Sequence, residues 1–171
     1  MAFTLDSKRS DIRIRTFAEG LFSRLAHDLE LICREPTGTA SDERSCTITI
    51  PVRAIDVVGT LKNGKVDASA LSPSDREDIL GKMRREVFHG GDAVTIEASI
   101  EHVKVISAKG KTVERAVSLN PETQNDGSLR VQGKLDISLN AIGSDPVKGP
   151  MNAFRVKDNV EVHFDVVFQP A

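Results

Sequence analysis

Apolar and polar residues alternate along most of this chain, and a period of two predicts a mainly β, antiparallel protein. The clearest run puts Leu129, Val131, Gly133, Leu135, Ile137 and Leu139 on one face, with Arg130, Gln132, Lys134, Asp136 and Ser138 on the other. Val160, Val162, Phe164, Val166 and Phe168 repeat the pattern near the C-terminus. His27, Leu29, Leu31 and Cys33 form an earlier face, and Cys46, Ile48, Ile50 and Val52 another. Val94, Ile96, Ala98 and Ile100 alternate as far as Glu101-His102, after which Val103 and Val105 take the opposite phase. A β-bulge at that point is expected, because one extra residue flips the facing of everything after it. Asn63-Gly64 suits a tight hairpin turn, Lys109-Gly110 a second turn, and Asn120 to Gly127 a longer hairpin loop. About eight strands result, spaced as in an antiparallel barrel or sandwich.

One long helix interrupts the strands. Ser72-Pro73-Ser74-Asp75-Arg76-Glu77 carries a Ser cap, Pro in the first turn and acids at the positive end of the helix dipole. Ser74 with Glu77 offers an alternative capping box. Ile79, Leu80, Met83 and Val87 share one face, while Arg76, Lys82 and Arg84 fall largely elsewhere. Gly81 costs about 1 kcal/mol against Ala, so packing must hold the helix, and Gly90-Gly91 ends it. A second, shorter helical element is expected between the Asp11 to Phe17 strand and the strand from His27. There Leu21, Phe22 and Leu25 share one side of a turn. Such a turn should fold over one barrel end as a plug, with Phe22 and Leu25 buried beneath it.

Residues 1–171 read as a single domain, with no internal repeat or linker. Hydrophobic residues make up 39% and charged residues 28%, which excludes wholesale disorder. Lys plus Arg number 23 against 25 Asp plus Glu, so no charge excess points to nucleic acid or an anionic membrane. With seven Phe and no Trp or Tyr, aromatic stacking platforms are not expected either. No stretch approaches the ~20 apolar residues of a membrane span. The N-terminus lacks a basic start and apolar run, so the chain reads as cytoplasmic, or as periplasmic if a leader has been removed. Oligomeric state is open, a homodimer included.

The common catalytic signatures are missing from the sequence. Gly110-Lys111-Thr112 ends like a phosphate-binding loop, but Val105 stands where the first Gly is required. There is no G-x-S-x-G, H-E-x-x-H or G-x-G-x-x-G. Cys33 and Cys46 match no zinc or redox spacing. His89 follows the helix at its negative end, His102 lies at the expected bulge, and His163 is on the polar face of the last strand. No two histidines are close enough in sequence to predict a metal site. No enzyme activity, cofactor or metal is therefore expected. His27 is the one histidine whose alternation places it inward; its readings are a backbone-bonded rim residue, a ligand contact, or a metal-binding or catalytic group.

Several motifs, taken in order, resemble the YceI-like family of lipocalin-like barrels. They are the Gly20 to Leu31 segment, Leu71 to Met83, Val94-Thr95-Ile96-Glu97-Ala98-Ser99, Val131-Gln132-Gly133-Lys134-Leu135 and Phe154 to Val162. The chain departs from the family at Gly91-Asp92, where a Tyr-Pro is common. It departs again at Asn140 to Pro150, a short connection that leaves room for a shortened or missing strand. The resemblance implies a lipocalin-like β-barrel with an apolar interior that binds isoprenoid-chain ligands.

Alternation is identical for a filled core and for a cavity wall. The resemblance favours the cavity, and hence non-catalytic binding of an apolar small molecule with an isoprenoid or acyl chain. On that reading Leu21, Phe22 and Leu25 gate the mouth, His27 orients a head group, and Met83 and Val87 close one side. Leu29, Ile96, Val131, Leu135, Ile137 and Phe164 face the ligand. The competing reading is a solid-core structural or interaction protein. Its partner surface would be the Val147 to Phe154 segment, where Met151 and Phe154 stand among Gly and Pro.

Overall fold

The computed structural model describes residues 1–20, 27–42 and 44–171. The expected plug, with Leu21, Phe22 and Leu25, lies outside the described residues. The strands are β1 (Phe3–Leu5), β2 (Asp11–Thr16), β3 (Ala18–Glu19), β4 (Asp28–Cys33), β5 (Thr37–Asp42), β6 (Ser45–Pro51), β7 (Ile55–Lys62) and β8 (Lys65–Asp67). After helix α1 (Pro73–Lys82) come β9 (Ala93–Ser99), β10 (His102–Ile106), β11 (Thr112–Ala116), β12 (Glu122–Thr123), β13 (Leu129–Ser138), β14 (Arg155–Val156) and β15 (Asn159–Pro170).

Thirteen of these segments belong to one antiparallel sheet, and β3 pairs β14 separately. The registers join several segments into longer, bent strands. β2 pairs β4 while β1 pairs β5, so the runs 3–16 and 28–42 stay together across a corner. β4 pairs β7 while β5 pairs β6, which does the same for 28–42 and 45–62. Eight extended strands then follow one another around the sheet: β11, β10, β9, β6–β7, β4–β5, β1–β2, β15 and β13. Among the described residues no ladder joins β11 to β13, so the sheet curls into a lipocalin-like barrel without hydrogen-bonded closure at that seam.

Alternation sorts the two faces as the sequence predicts. Leu129, Ile137, Val160, Val166 and Phe168 are buried, with Ile12, Leu31, Cys33, Ile48, Val57, Val103 and Val105 from the other strands. Asn63 (φ 52°) and Gly64 (φ 75°) make the tight β7–β8 turn, and Gly110 (φ 83°) that between β10 and β11.

Two turn readings are corrected. The phase change at Glu101-His102 is not a bulge but a chain reversal, because Ala98 pairs Val103 across a two-residue turn at Ile100-Glu101. A two-residue reversal also swaps odd for even facing. It carries no Gly or Pro; the Ser99 hydroxyl accepts the backbone N–H of His102 at 3.1 Å instead. The Asn120 to Gly127 segment does not link paired neighbours, since β11 and β13 do not pair. It contains β12, which folds back on β13.

The helix begins as read but caps differently. Ser72 Oγ accepts the Asp75 N–H at 3.1 Å, and the Asp75 carboxylate accepts the Ser72 N–H at 2.9 Å, so the capping box is Ser72 with Asp75 rather than Ser74 with Glu77. Beyond Lys82 the helix widens into a π turn, Met83–Val87, where the Phe88 N–H reaches the Met83 carbonyl at 3.1 Å. Met83 and Phe88 are thereby both buried. Arg76 does not simply face solvent. Its guanidinium donates to the carbonyls of Val57 at 2.6 Å, Val58 at 3.2 Å and Ala68. Val58 is the extra residue where the β4–β7 register shifts, so the clamp serves carbonyls that the irregular ladder leaves available.

Between β13 and β15 the chain makes an excursion over residues 139–158 in place of a further long strand. Asp158 closes its base, accepting the Ser138 hydroxyl at 2.5 Å and the Asn140 N–H at 2.8 Å. The excursion docks on the end of the helix: Asp145 N–H to the Glu86 carbonyl at 2.9 Å, and Lys82 Nζ to the Lys148 carbonyl at 2.7 Å. Helix and excursion cover one end of the barrel. Met151, at the excursion's tip, is almost wholly exposed, whereas the Phe154 ring lies over Gly149.

Candidate functional site

The two halves of the barrel interior differ. Near the helix, inward residues such as Ile137, Val160, Leu31, Val57 and Ile55 are buried. In the other half Leu129, Val166 and Phe168 are buried as well, but Val131, Leu135, Val162, Phe164, Ile96 and Ala98, which also face inward, are each only half-buried. They border a cavity. Its volume is about 90 Å³, and it opens to solvent. Leu129, Val131, Leu135, Val162, Phe164, Val166 and Phe168 form one wall and Ile48, Cys46, Ile96, Ala98 and Val103 the opposite one. Asp42, Arg44, Ser45 and Ser99 supply its polar groups, and all belong to the β5–β6 and β9–β10 turns. That end is the mouth, opposite the helix.

Four of the residues expected to face a ligand stand on this wall: Ile96, Val131, Leu135 and Phe164. Leu29, Ile137, Met83 and Val87 do not; they pack in the half filled by the helix. His27 is exposed and precedes β4, so the alternation that would turn it inward stops at Asp28. It lies near the helix start instead. The Asp75 carboxyl is held below its ordinary value by the Ser72 backbone N–H and hydroxyl, with a last contribution from His27.

Cys46, which alternation places on the same face as Ile48 and Ile50, is part of the wall. Burial pushes its thiol up to about 11, against a smaller downward pull from the Ala98 backbone. Cys33, in the filled half, is pushed up to about 12 by burial and by the charge of Asp11. Neither thiol is poised for nucleophilic chemistry.

The other histidines are dispersed. His89 Nε2 lies 2.9 Å from the Gly143 carbonyl, His102 is 3.9 Å from Glu114, and His163 Nε2 is 2.9 Å from Glu161 Oε1. None lines the cavity. Among the described residues no group of three His, Cys, Asp or Glu is placed to hold a metal ion, and no helix is long and apolar enough to cross a membrane.

The outer faces of the same strands carry paired charge. Arg130 grips Asp165 with two hydrogen bonds of 2.8 and 2.6 Å. Lys134 and His163 share Glu161, at 3.3 and 2.9 Å. On β4, Glu30 is 2% exposed and accepts Arg13 at 2.9 Å and Arg15 at 3.1 Å.

The whole chain superposes on solved structures of one kind. A polyisoprenoid-binding domain from Saccharophagus degradans, implicated in plant cell wall breakdown, matches with a TM-score of 0.67 at 11% identity, covering 99% of this chain and 98% of that one. BcnA of Burkholderia cenocepacia matches with a TM-score of 0.61 at 15% identity, over 95% and 98% of the two chains. The fold is the YceI-like, lipocalin-type barrel. No family model and no curated protein matches the sequence. The likeness therefore lies in the backbone fold.

Proposed function

We propose that this YceI-like barrel binds an apolar small molecule, an isoprenoid or acyl chain, in the half of its interior that the helix does not fill, and that it does so without catalysis. The observation that carries this reading is the half-burial of inward Val131, Leu135, Val162 and Phe164 around an apolar space with polar groups at one end only. A filled core would bury those side chains as it buries Ile137 and Val160. Affinity would come from removing the chain and this wall from water, at about 25 cal/mol per Å² of apolar surface. A polar head group would stay at the mouth by Asp42, Arg44, Ser45 and Ser99, where water and hydrogen-bonding partners remain. The fold shared with the Saccharophagus polyisoprenoid-binding domain supports the same reading.

Native mass spectrometry of freshly purified protein, followed by organic extraction, tests it. A co-purifying lipid at one per chain, or saturable uptake of an added isoprenoid alcohol, is the expected result. Lack of both would overturn the reading. Val131→Trp places a large ring on the cavity wall and should abolish uptake while circular dichroism stays unchanged. Ile137→Trp, in the filled half, should instead disturb packing.

A further inference from the structure

We propose that Phe164 is a depth gate within the cavity and that Gly133 is the recess that holds the gate open. The proposal rests on the binding reading above and adds what sets the length of chain the cavity accepts.

Gly133 and Phe164 face each other directly in the β13–β15 ladder. A Cβ built on Gly133 would stand 2.6 Å from Phe164 Cζ, 3.2 Å from Cε2 and 3.3 Å from Cε1. The tip of the ring thus reaches the bare backbone of β13, into space that any other residue would occupy. Glycine in a strand interior weakens the strand and commonly marks such a close approach. Here the approach removes an aromatic ring from the lumen.

The position of the pair gives it consequence. Inward rows descend from the mouth as Leu129–Phe168, Val131–Val166, Gly133–Phe164 and Leu135–Val162. All of these except Gly133 line the cavity, and the next row, Ile137–Val160, is buried core. Phe164 therefore stands one row above the deepest lining row, Leu135–Val162. From Phe168 to Val162 is ~20 Å of strand at ~3.4 Å per residue. A ring turned off Gly133 ends the cavity above the Phe164 row and leaves ~7 Å of it, from Phe168 to Val166. The ring is large enough for that. A phenyl displaced into the lumen takes up the space at its own row that a long chain would need to pass. Phe164 is also only half-buried although it faces inward, so one side of the ring borders free space.

The test is a double-variant cycle read with ligands of graded length. Wild type, Gly133→Ala, Phe164→Ala and the double variant are titrated with geraniol, farnesol and geranylgeraniol, each displacing anilinonaphthalene sulfonate. The protein has no Trp or Tyr, so dye fluorescence is read without an intrinsic background from those residues. Gly133→Ala should weaken geranylgeraniol about tenfold or more and geraniol much less. Phe164→Ala should bind the longest chain at least as well as wild type. The double variant should recover wild-type binding, because the added methyl then meets no ring. Urea midpoints of all four proteins identify any variant that binds poorly because it folds poorly. Length-independent loss in Gly133→Ala, no loss, or no recovery in a folded double variant would each overturn the gate. Failure of wild type to bind any of the three alcohols would overturn the binding reading itself, a distinct result.

Discussion

Replacing Arg76 by Met should destabilise the protein by about 2–3 kcal/mol, although Arg76 touches no cavity residue. Met keeps the length and much of the apolar stem but removes the donor fork. Three carbonyls then lose a charged partner: Val57 at 2.6 Å, Val58 at 3.2 Å and Ala68. A hydrogen bond to a charged group contributes about 1.5–3 kcal/mol. The contact to Ala68 is exposed, so water replaces it at little cost. Those to Val57 and Val58 are part-buried, at a register shift where β4 does not serve every carbonyl of β7. Two partly compensated losses give the stated magnitude. For a chain of this length that corresponds to a fall in Tm of roughly 4–12 °C. Equilibrium urea unfolding followed by circular dichroism is the assay, with an unchanged m-value showing that only stability has moved. Arg76→Lys should recover less than half, because one ammonium group cannot span a planar fork's three acceptors. A cost below ~0.5 kcal/mol for Met, within the range of ordinary surface substitutions, would refute the clamp. Full rescue by Lys would refute its geometry.

Other consequences follow from the paired charges and the cavity thiol. Glu30→Ala should cost about 2–3 kcal/mol in the same unfolding assay, below the 3–5 kcal/mol of a fully buried pair, because Arg13 and Arg15 are 35% and 29% exposed and can turn to water; a cost under ~1 kcal/mol would show that the arginines do not depend on it. Cys46 should react slowly with N-ethylmaleimide at pH 8, its thiol being pushed up to about 11 by burial, and a bound isoprenoid should slow it further; labelling unaffected by ligand would place the ligand elsewhere. Acid should weaken the fold. The Asp126 carboxyl is lowered to about 2 by Ser128 and Arg9, the Asp165 carboxyl is lowered by Arg130, and the Glu161 carboxyl by His163 and Lys134. Depressed folded-state values mean that this stabilisation is complete above the unfolded carboxylate range of ~4. It is lost as pH falls towards about 2. Urea midpoints measured from pH 6 to pH 2 should decline below pH 4.5, and Asp126→Asn should flatten the lowest part; a level profile would contradict the assignment.

Local chemistry determined much of this protein before any tertiary contact. Backbone alternation decided that Leu129, Val131, Leu135, Val162, Phe164 and Phe168 face one way and Arg130, Lys134, Glu161 and Asp165 the other. Asn63-Gly64 specified a turn because both residues tolerate positive φ, and Ser72-Pro73 specified the helix start. Each is a property of a few consecutive residues. The reversal at Ile100-Glu101 was harder to read, because a serine hydroxyl rather than Gly or Pro stabilises it. Its parity change also mimics that of a bulge. Arg76 gave no sign of its role, since its carbonyl partners become available only where β4 and β7 slip in register. Glu30 likewise reads as an outward charge until β2 brings Arg13 and Arg15 across it. The tertiary structure alone decided which inward residues meet other side chains and which meet a cavity. Alternation reports the direction of a side chain and says nothing of the distance to the opposite wall. That distance is set by strands far apart in sequence and by where the helix lies. Ile137 and Leu135 belong to one uninterrupted apolar face, yet the first is packed core and the second lines the cavity.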